Sequence, residues 1–228
     1  MGKNVVQGKG DGDLEKAMKN LAFREGELDV VVIEQADAEE MEKEFRWLAL
    51  ARVHTPRPFS VTGFKETMRS IWSLVHDADC REVDDNLFLI RFFCLDNWKK
   101  VMNQGPWLFR GFMVVIHEYD GLSDKASIPF NHTAIWEQIH SIPDLYWRES
   151  VCDQLARRIG RVLSVEMNPP KYYEGDYIRV RASIDVREPL IRCVPLKLPK
   201  ERLLLDVRYE KVGFFCDVCG LFGHTSEE

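Results

Sequence analysis

The chain has 228 residues, of which 45% are hydrophobic and 11% aromatic, so it can build a folded core, and wholesale disorder is excluded. Its apolar runs fall short of the roughly 20 residues of a membrane helix, and its polar start predicts no secretory signal, so we expect an intracellular protein of the nucleus or cytoplasm with no membrane contact. The formal net charge of −6 argues against phosphate binding by the whole chain, because such binding needs clustered Lys and Arg.

The charge is distributed unevenly along the chain. Residues 11–44 contain twelve acidic residues against four basic ones, whereas basic residues outnumber acidic ones over residues 148–211. This asymmetry suggests an acidic arm and a basic working surface, although two solvated faces explain it equally well.

The N-terminal region reads as an acidic extension, residues 1–46. Residues 26–34 predict a short strand or an extended segment, and residues 38–47 are strong helix formers. We expect the acidic helix, near residues 36–46, to bind a protein partner or to cover the basic surface of the same chain.

Residues 47–120 predict the order β-α-β-β-α-β. The predicted strands are 47–54, 75–83, 87–94 and 108–119, and the predicted helices are 60–74 and 97–104. Ser60 and Asp96 are the predicted N-caps of the two helices. This order is that of the split βαβ of ferredoxin-like and RNA-recognition folds, so the sequence predicts an RRM-like α+β unit.

A linker, residues 121–132, leads to a second, mainly antiparallel α+β unit at residues 133–212. Its predicted strands are 133–142, 161–168, 177–186, 190–198 and 202–212, and its predicted helix is 148–160. The second unit is either a partial repeat of the first or an antiparallel extension packed on it, and the sequence leaves both open.

The C-terminal segment, residues 213–228, contains metal-ligating residue types at close spacing. Thiolate and imidazole are preferred zinc ligands, and Cys216, Cys219 and His224 supply three of the four that zinc requires. Gly220 and Gly223 allow the backbone between them to fold back. A water molecule, Glu227 or Glu228 could complete this partial site, or the site could be empty. The remaining cysteines, Cys80, Cys94, Cys152 and Cys193, are predicted to be small buried hydrophobes.

These segments also resemble known families. The stretch CDVCGLFGH resembles the CCHC zinc knuckle, C-x2-C-x4-H-x4-C, whose fourth ligand would lie one position after Glu228. Residues 86–120, 127–143, 177–190 and 208–224 are similar to a plant family in which a domain of unknown function precedes a CCHC knuckle. That family is common in LINE-type retrotransposon proteins and their relatives. The resemblance runs from about Trp47 to His224. It implies zinc and nucleic-acid binding and no known enzyme activity.

The first unit lacks the residues with which an RNA-recognition motif stacks bases. Such motifs expose aromatic side chains on their central strands, whereas Leu87, Leu89 and Ala49 occupy the corresponding positions here. We therefore expect Phe88, Ile90 and Phe92 to be core residues that pack against the two helices.

The second unit offers a better candidate surface for single-stranded nucleic acid. Along residues 177–186, apolar residues alternate with polar ones, which places Arg179 and Arg181 on one face. The predicted phosphate-binding residues are Arg157, Arg158, Arg161, Lys171, Arg179, Arg181, Arg187, Arg192 and Arg208. Tyr172 and Tyr173 are predicted to stack on bases. In a knuckle of the resembled type, Phe214, Leu221 and Phe222 would form an apolar face that holds unpaired bases.

The sequence also bears on two other classes of function, an enzyme and a protein-interaction module. The sequence contains no motif of a phosphate-binding loop, a nucleophile elbow or a zinc protease. A polar turn explains the aspartates 77, 79, 84 and 85 beside His76 better than the metal site of a nuclease does. We therefore expect no enzyme activity. A protein-interaction module with little nucleic-acid binding is the alternative. The sequence leaves the oligomeric state open.

Overall fold

A computed structural model describes residues 29–167 and 177–225. Predictions that fall on residues 1–28, on Lys171, Tyr172 and Tyr173, or on Glu227 and Glu228 lie outside the described residues. The α-helices are α1 (Gln35–Glu44), α2 (Val61–Trp72), α3 (Leu95–Asn103) and α4 (Glu149–Ala156). The strands are β1 (Leu48–Val53), β2 (Asp79–Asp84), β3 (Leu87–Arg91), β4 (Trp107–Phe109), β5 (Phe112–Tyr119), β6 (His132–His140), β7 (Arg161–Glu166), β8 (Tyr177–Asp185), β9 (Cys193–Lys197) and β10 (Arg202–Glu210). None of these helices is both long enough and apolar enough to cross a bilayer.

The N-terminal region contains an extended apolar run followed by α1. Val30, Val31 and Val32 are at least 80% exposed, and Ile33 is 60% exposed. Helix α1 begins at Gln35, three residues before the predicted helix start, and buries none of its side chains. Its stability therefore depends on helix propensity and charge, not on an apolar face.

The first sheet has the strand order β2-β3-β1-β5-β4. Strand β1 lies between β3 and β5 and is antiparallel to both, which is the ferredoxin-like arrangement that the sequence predicts. The Ser60 hydroxyl accepts a hydrogen bond from the Gly63 amide at 3.2 Å, which confirms Ser60 as the N-cap of α2.

Two details of the first unit differ from the prediction. The N-cap of α3 is Cys94, which makes no side-chain capping bond, and Asp96 lies inside the first turn. The predicted strand 108–119 is a hairpin, because the chain turns at Arg110 and Gly111, with φ of 50° and 84°. Arginine is not a typical turn residue, so the composition gives little sign of this turn.

One face of the first sheet packs against α2 and α3. Phe88, Ile90 and Phe92 are at most 1% exposed in this core, as predicted. The rings of Phe64 on α2 and Phe88 on β3 stack with centroids 4.2 Å apart. This cluster anchors α2 to the sheet.

The other face of the first sheet is also buried. Leu50 and Leu89 pack against Ile128 and Phe130, which follow β5 in the linker. Met113 and Val115 on β5 form a shared cluster with Ile135 and Ile184 of the second unit. The surface that an RNA-recognition motif offers to bases is therefore internal here, and this explains why it carries aliphatic side chains.

The second sheet has the strand order β7-β8-β6-β10-β9. This order repeats that of the first sheet strand for strand, and α4 follows β6 as α2 follows β1. The second unit is therefore a topological repeat of the first, with the loop at residues 186–192 in place of a second helix. Ile178, Val180 and Ala182 are fully buried on the helix side of β8, so Arg179 and Arg181 face the opposite side, as predicted.

Candidate metal centre and nucleic-acid interface

The C-terminal loop is a tight hairpin closed by backbone hydrogen bonds. The Gly220 amide donates to the Cys216 carbonyl at 2.6 Å, and the Cys216 amide donates to the Leu221 carbonyl at 2.9 Å. A β-bridge joins Phe215 to Phe222. Gly220 and Gly223 have φ of 80° and 95°, a region that side-chain-bearing residues rarely adopt. The two glycines therefore permit the fold that brings Cys216, Cys219 and His224 together.

The three candidate metal ligands are close to one another. The Sγ atoms of Cys216 and Cys219 and a ring nitrogen of His224 lie within 4.8 Å of one another. The distance from Cys219 Sγ to His224 Nε2 is 3.4 Å, and tetrahedral zinc with its usual bond lengths requires about 3.6 Å between such atoms. The donor set therefore fits zinc in type, and the Cys219–His224 pair also fits it in spacing.

The backbone around Cys216 favours its thiolate. Hydrogen bonds from the amides of Cys219 and Val218 lower the pKa of the Cys216 thiol, despite the opposing effect of burial. The thiolate is the form that ligates metal. Cys219 is exposed and His224 is half-buried, so the metal would lie at the surface, beside the buried Cys216.

The loop is attached to the second unit through residues 190–192. The Leu190 amide donates to the Gly220 carbonyl at 2.9 Å. The Arg192 guanidinium donates to the carbonyls of Asp217 and Val218. A Cβ at Gly220 would lie 3.1 Å from the Leu190 carbonyl oxygen, a tight contact, so glycine favours this close approach. Arg192, predicted to bind phosphate, thus holds the metal loop with its guanidinium.

The loop is attached to the first unit through residues 213 and 214. The Phe214 amide donates to the Gly111 carbonyl at 2.6 Å, and a Cβ at Gly213 would lie 2.4 Å from that carbonyl oxygen. The Phe214 ring contacts Phe112 edge-on at 5.7 Å between centroids. The candidate metal centre is therefore packed against both units and held by hydrogen bonds to each of them.

The apolar face of the loop differs from the predicted one. Phe222 is only 8% exposed and packs with Met113, Val115 and Ile135, so it anchors the loop and is not presented to a base. Phe214, Val218 and Leu221 are 46%, 73% and 36% exposed. Val218 was missed by the sequence reasoning, although its place between the two cysteines puts it at the tip of the turn.

Arg179 is engaged by carboxylates and an aromatic ring. Its guanidinium contacts Glu210 at 2.8 Å and Glu166 at 3.1 Å and lies 3.8 Å from the centroid of the Trp136 ring. The hydrogen bonds that Arg179 donates to Glu210 are the main reason why the pKa of Arg179 is raised. These contacts give Arg179 a structural role in the sheet rather than the predicted phosphate contact.

The neighbouring arginines also have partners within the protein. Arg181 donates to the Asn103 carbonyl at the end of α3, and Arg187 pairs with Asp185 at 2.6 Å. Arg187 lies just beyond β8 and keeps 62% of its side chain exposed. Of this group, Arg187 is the residue most accessible to a phosphate.

Four further arginines stay candidates for phosphate contact. Arg157 and Arg158 follow α4, Arg161 begins the edge strand β7, and Arg208 lies on β10. All four are exposed. In the part of the chain that the structure describes, none of the four is within ion-pair distance of a carboxylate.

The remaining cysteines and the aspartates near His76 lie outside the candidate metal centre. Cys152 is buried, as predicted, whereas Cys193 is exposed, so its prediction as a buried hydrophobe was wrong. Asp77 pairs with Arg69 at 3.5 Å. Within residues 29–167 and 177–225, the Cys216–Cys219–His224 group is the only set of three such side chains close enough to share a metal, and the aspartates near His76 do not form one.

Comparison with known families agrees with this architecture. Residues 41–123 match the family described as "Domain of unknown function (DUF4283)", and residues 184–228 match the family described as "Zinc knuckle". The chain is therefore similar to a DUF4283 domain over its first part and to a zinc knuckle over its C-terminal part. This is the domain order that the sequence resemblance implied.

The individual proteins that match this chain share little sequence identity with it. The chain is 23% identical over 128 residues to the uncharacterized protein At4g02000 of Arabidopsis thaliana. The match covers 54% of this chain and 39% of that protein, so the chain spans about two fifths of the relative's length. Among solved structures, RNA recognition domains 1 and 2 of Sex-lethal from Drosophila melanogaster match at 10% identity, 59% of this chain, 84% of theirs and a TM-score of 0.24.

Proposed function

We propose that this protein binds single-stranded nucleic acid through a zinc-loaded knuckle and the surface around it, without catalysing a reaction. The observation that carries the proposal is the group of two thiols and an imidazole within 4.8 Å of one another, held by a hairpin that is fixed to both units. A retrotransposon-derived origin is part of this proposal and is supported by the family resemblance.

In this proposal, Cys216, Cys219 and His224 hold the zinc. A bound metal would supply cross-linking, because it ties the two ends of a short hairpin that has little core of its own. The exposed side chains of Phe214, Val218 and Leu221 then form a rigid apolar face around it. Unpaired bases stack on such faces irrespective of sequence, because every base has an apolar π-face.

The buried first sheet supports a role for the knuckle as the binding element. An RNA-recognition motif contacts bases through the open face of its sheet, but here that face packs against Phe130 and the second unit. Base stacking on the strands of that face, as in an RNA-recognition motif, is therefore blocked here. The remaining candidates are the knuckle with the surface beside it and the exposed arginines 157, 158, 161 and 208.

The proposal is tested by fluorescence anisotropy with single-stranded RNA and DNA oligonucleotides at several salt concentrations. We compare the chain, the chain with one cysteine added directly after Glu228, and Cys216→Ser in both backgrounds. Binding that falls steeply with salt and is lost in Cys216→Ser supports the proposal. Equal binding by Cys216→Ser, or no binding by any form at low salt, contradicts it.

A protein-interaction role is the second candidate, and the exposed apolar run Val30–Ile33 favours it. This run precedes an acidic helix with no buried side chains, a combination typical of segments that dock on a partner. A pull-down with and without nuclease treatment separates the two. Partners that survive nuclease and are lost when residues 30–33 are replaced by serine would favour this second role.

A further inference from the structure

A groove of about 570 Å³ lies between the end of β1 and the candidate metal loop. One wall is formed by residues 52–56, and the opposite wall by residues 222–224 of the loop. Asn86, Val115 and Phe130 complete the lining. The volume is in the range of small-ligand sites, which run from about 300 to 1,000 Å³, and the groove is shared by the first unit and the knuckle.

Arg52 brings a positive charge to this groove. The residue is half-buried, and its Nε is shielded from solvent without a hydrogen-bond acceptor among the described residues. Its guanidinium carbon lies 5.0 Å from the centroid of the Phe130 ring. Across residues 29–167 and 177–225, no carboxylate lies within ion-pair distance of Arg52. Because partly buried charges are normally paired, an unpaired cation in a groove favours an anionic ligand.

The other ionisable groups near the groove leave this charge uncompensated. Burial lowers the pKa of His54, although Asp185 acts in the opposite direction, so the His54 imidazole is neutral near pH 7. The Asp185 carboxylate is neutralised by Arg187 at 2.6 Å. A neutral imidazole can both donate and accept hydrogen bonds, as recognition of a base edge requires.

The rest of the lining suits a flat, apolar ligand surface. The half-buried ring of Phe130 lies in the floor. Val115 and Phe222 also line the groove, but at 1% and 8% exposed they support the floor from behind. A Cβ built on Gly223 would meet no atom within 4 Å, so the backbone at this position borders open space. A ligand can therefore approach the peptide of Gly223 closely, next to the candidate ligand His224.

We infer that this groove receives one nucleotide of a single strand, with its phosphate on Arg52 and its base against the half-buried ring of Phe130. The inference rests on the proposed function and assigns the place of binding. An unpaired base suits this groove because its face is free to stack on Phe130, whereas in a duplex that face is covered by neighbouring base pairs. Zinc binding then shapes one of the two walls, which couples metal loading to the binding of nucleic acid.

The first test replaces Arg52 by glutamine in the full zinc-loaded chain. A fluorescent single-stranded oligonucleotide is titrated at several salt concentrations. The matched control is Arg81→Gln, since Arg81 is an exposed arginine on the edge strand β2 of the same sheet. We expect Arg52→Gln to weaken binding about tenfold at low salt and to reduce the salt slope by about 0.7, the contribution of one phosphate contact on a single strand.

The variant Arg52→Lys separates charge from folding. It should keep the salt slope of the original chain, and circular dichroism should show equal folding of all three variants. If Arg52→Gln folds, and binds with the affinity and salt slope of Arg81→Gln, the inference is overturned.

A second test uses the unaltered chain. An oligonucleotide containing 4-thiouracil is cross-linked by light, and the cross-linked peptides are identified by mass spectrometry. Cross-links to residues 52–56, Phe130 or residues 222–224 are expected. If the oligonucleotide binds but cross-links only elsewhere, the groove is not the site, although the proposed function stands. If the oligonucleotide does not bind at all, the proposed function itself fails.

Discussion

The most quantitative expectation concerns Glu137, a carboxylate in the middle of the second sheet. Its side chain is fully buried, and the described residues provide no hydrogen-bond donor to either oxygen. Burial raises its pKa from 4.5 to about 8, because the low-dielectric interior disfavours the charged form.

This raised pKa makes the stability of the protein depend on pH. Between pH 4.5 and about 8 the folded protein keeps the proton that the unfolded chain loses, so the free energy of unfolding falls as the pH rises through this window. Above about pH 8 both states are ionised and the penalty is constant. The difference between the two pKa values corresponds to about 5 kcal/mol, as an upper bound.

Glu137→Gln removes the charge and nearly preserves the volume of the side chain. Urea unfolding should show similar stability of the two proteins at pH 5, and Glu137→Gln should become more stable by several kcal/mol at pH 9. The exposed strand residue Glu118 supplies the control, since Glu118→Gln should follow the original pH profile. Parallel profiles for the original chain and Glu137→Gln would refute the reasoning.

Three further changes test how the knuckle is held and regulated. Phe222→Ala should lower the free energy of unfolding by about 3 kcal/mol, because it removes a ring from a core that both units share. Urea denaturation measures this change. A change below about 0.5 kcal/mol, which is typical of surface sites, would contradict the packing described. Arg192→Ala should weaken zinc binding in a competition with a chromophoric chelator, because two loop carbonyls lose their donor, and unchanged zinc affinity would argue against this support. Deleting residues 1–45 should raise nucleic-acid affinity if the acidic helix covers a basic surface, whereas equal affinity measured by anisotropy would count against that role.

Local sequence signals predicted most of the secondary structure. The strand at Leu87–Arg91 begins with four consecutive apolar residues, and Ser60 supplies an N-cap that its hydroxyl and position both indicate. The alternation along β8 correctly separated the buried Ile178 face from the arginine face. Each of these features depends on neighbours in the chain, and for this reason a single sequence can reveal them.

Features that depend on contacts between distant segments were not predictable in the same way. The burial of Phe222 results from Met113 and Ile135, which lie far away in the sequence. The partners of Arg179 come from two other strands, at Glu166 and Glu210. An aromatic or an arginine has the same local pattern whether it faces solvent or another element, so the candidate interface could be assigned only in part.

The spacing of the metal ligands, by contrast, is a local property. Cys216, Cys219 and His224 occur within nine residues of the sequence, and the two glycines with positive φ lie where the pattern requires sharp turns. The attachment of this loop to both units was not visible from the sequence. It depends on the close approach of Gly213 to the Gly111 carbonyl.

Native mass spectrometry of the chain mixed with zinc and a single-stranded oligonucleotide tests the central claim most directly. We predict a complex of one protein, one zinc ion and one oligonucleotide, and we predict that Cys216→Ser yields neither the zinc adduct nor the oligonucleotide complex. A chain that takes up no zinc, or one that binds the oligonucleotide equally well without it, would contradict the account.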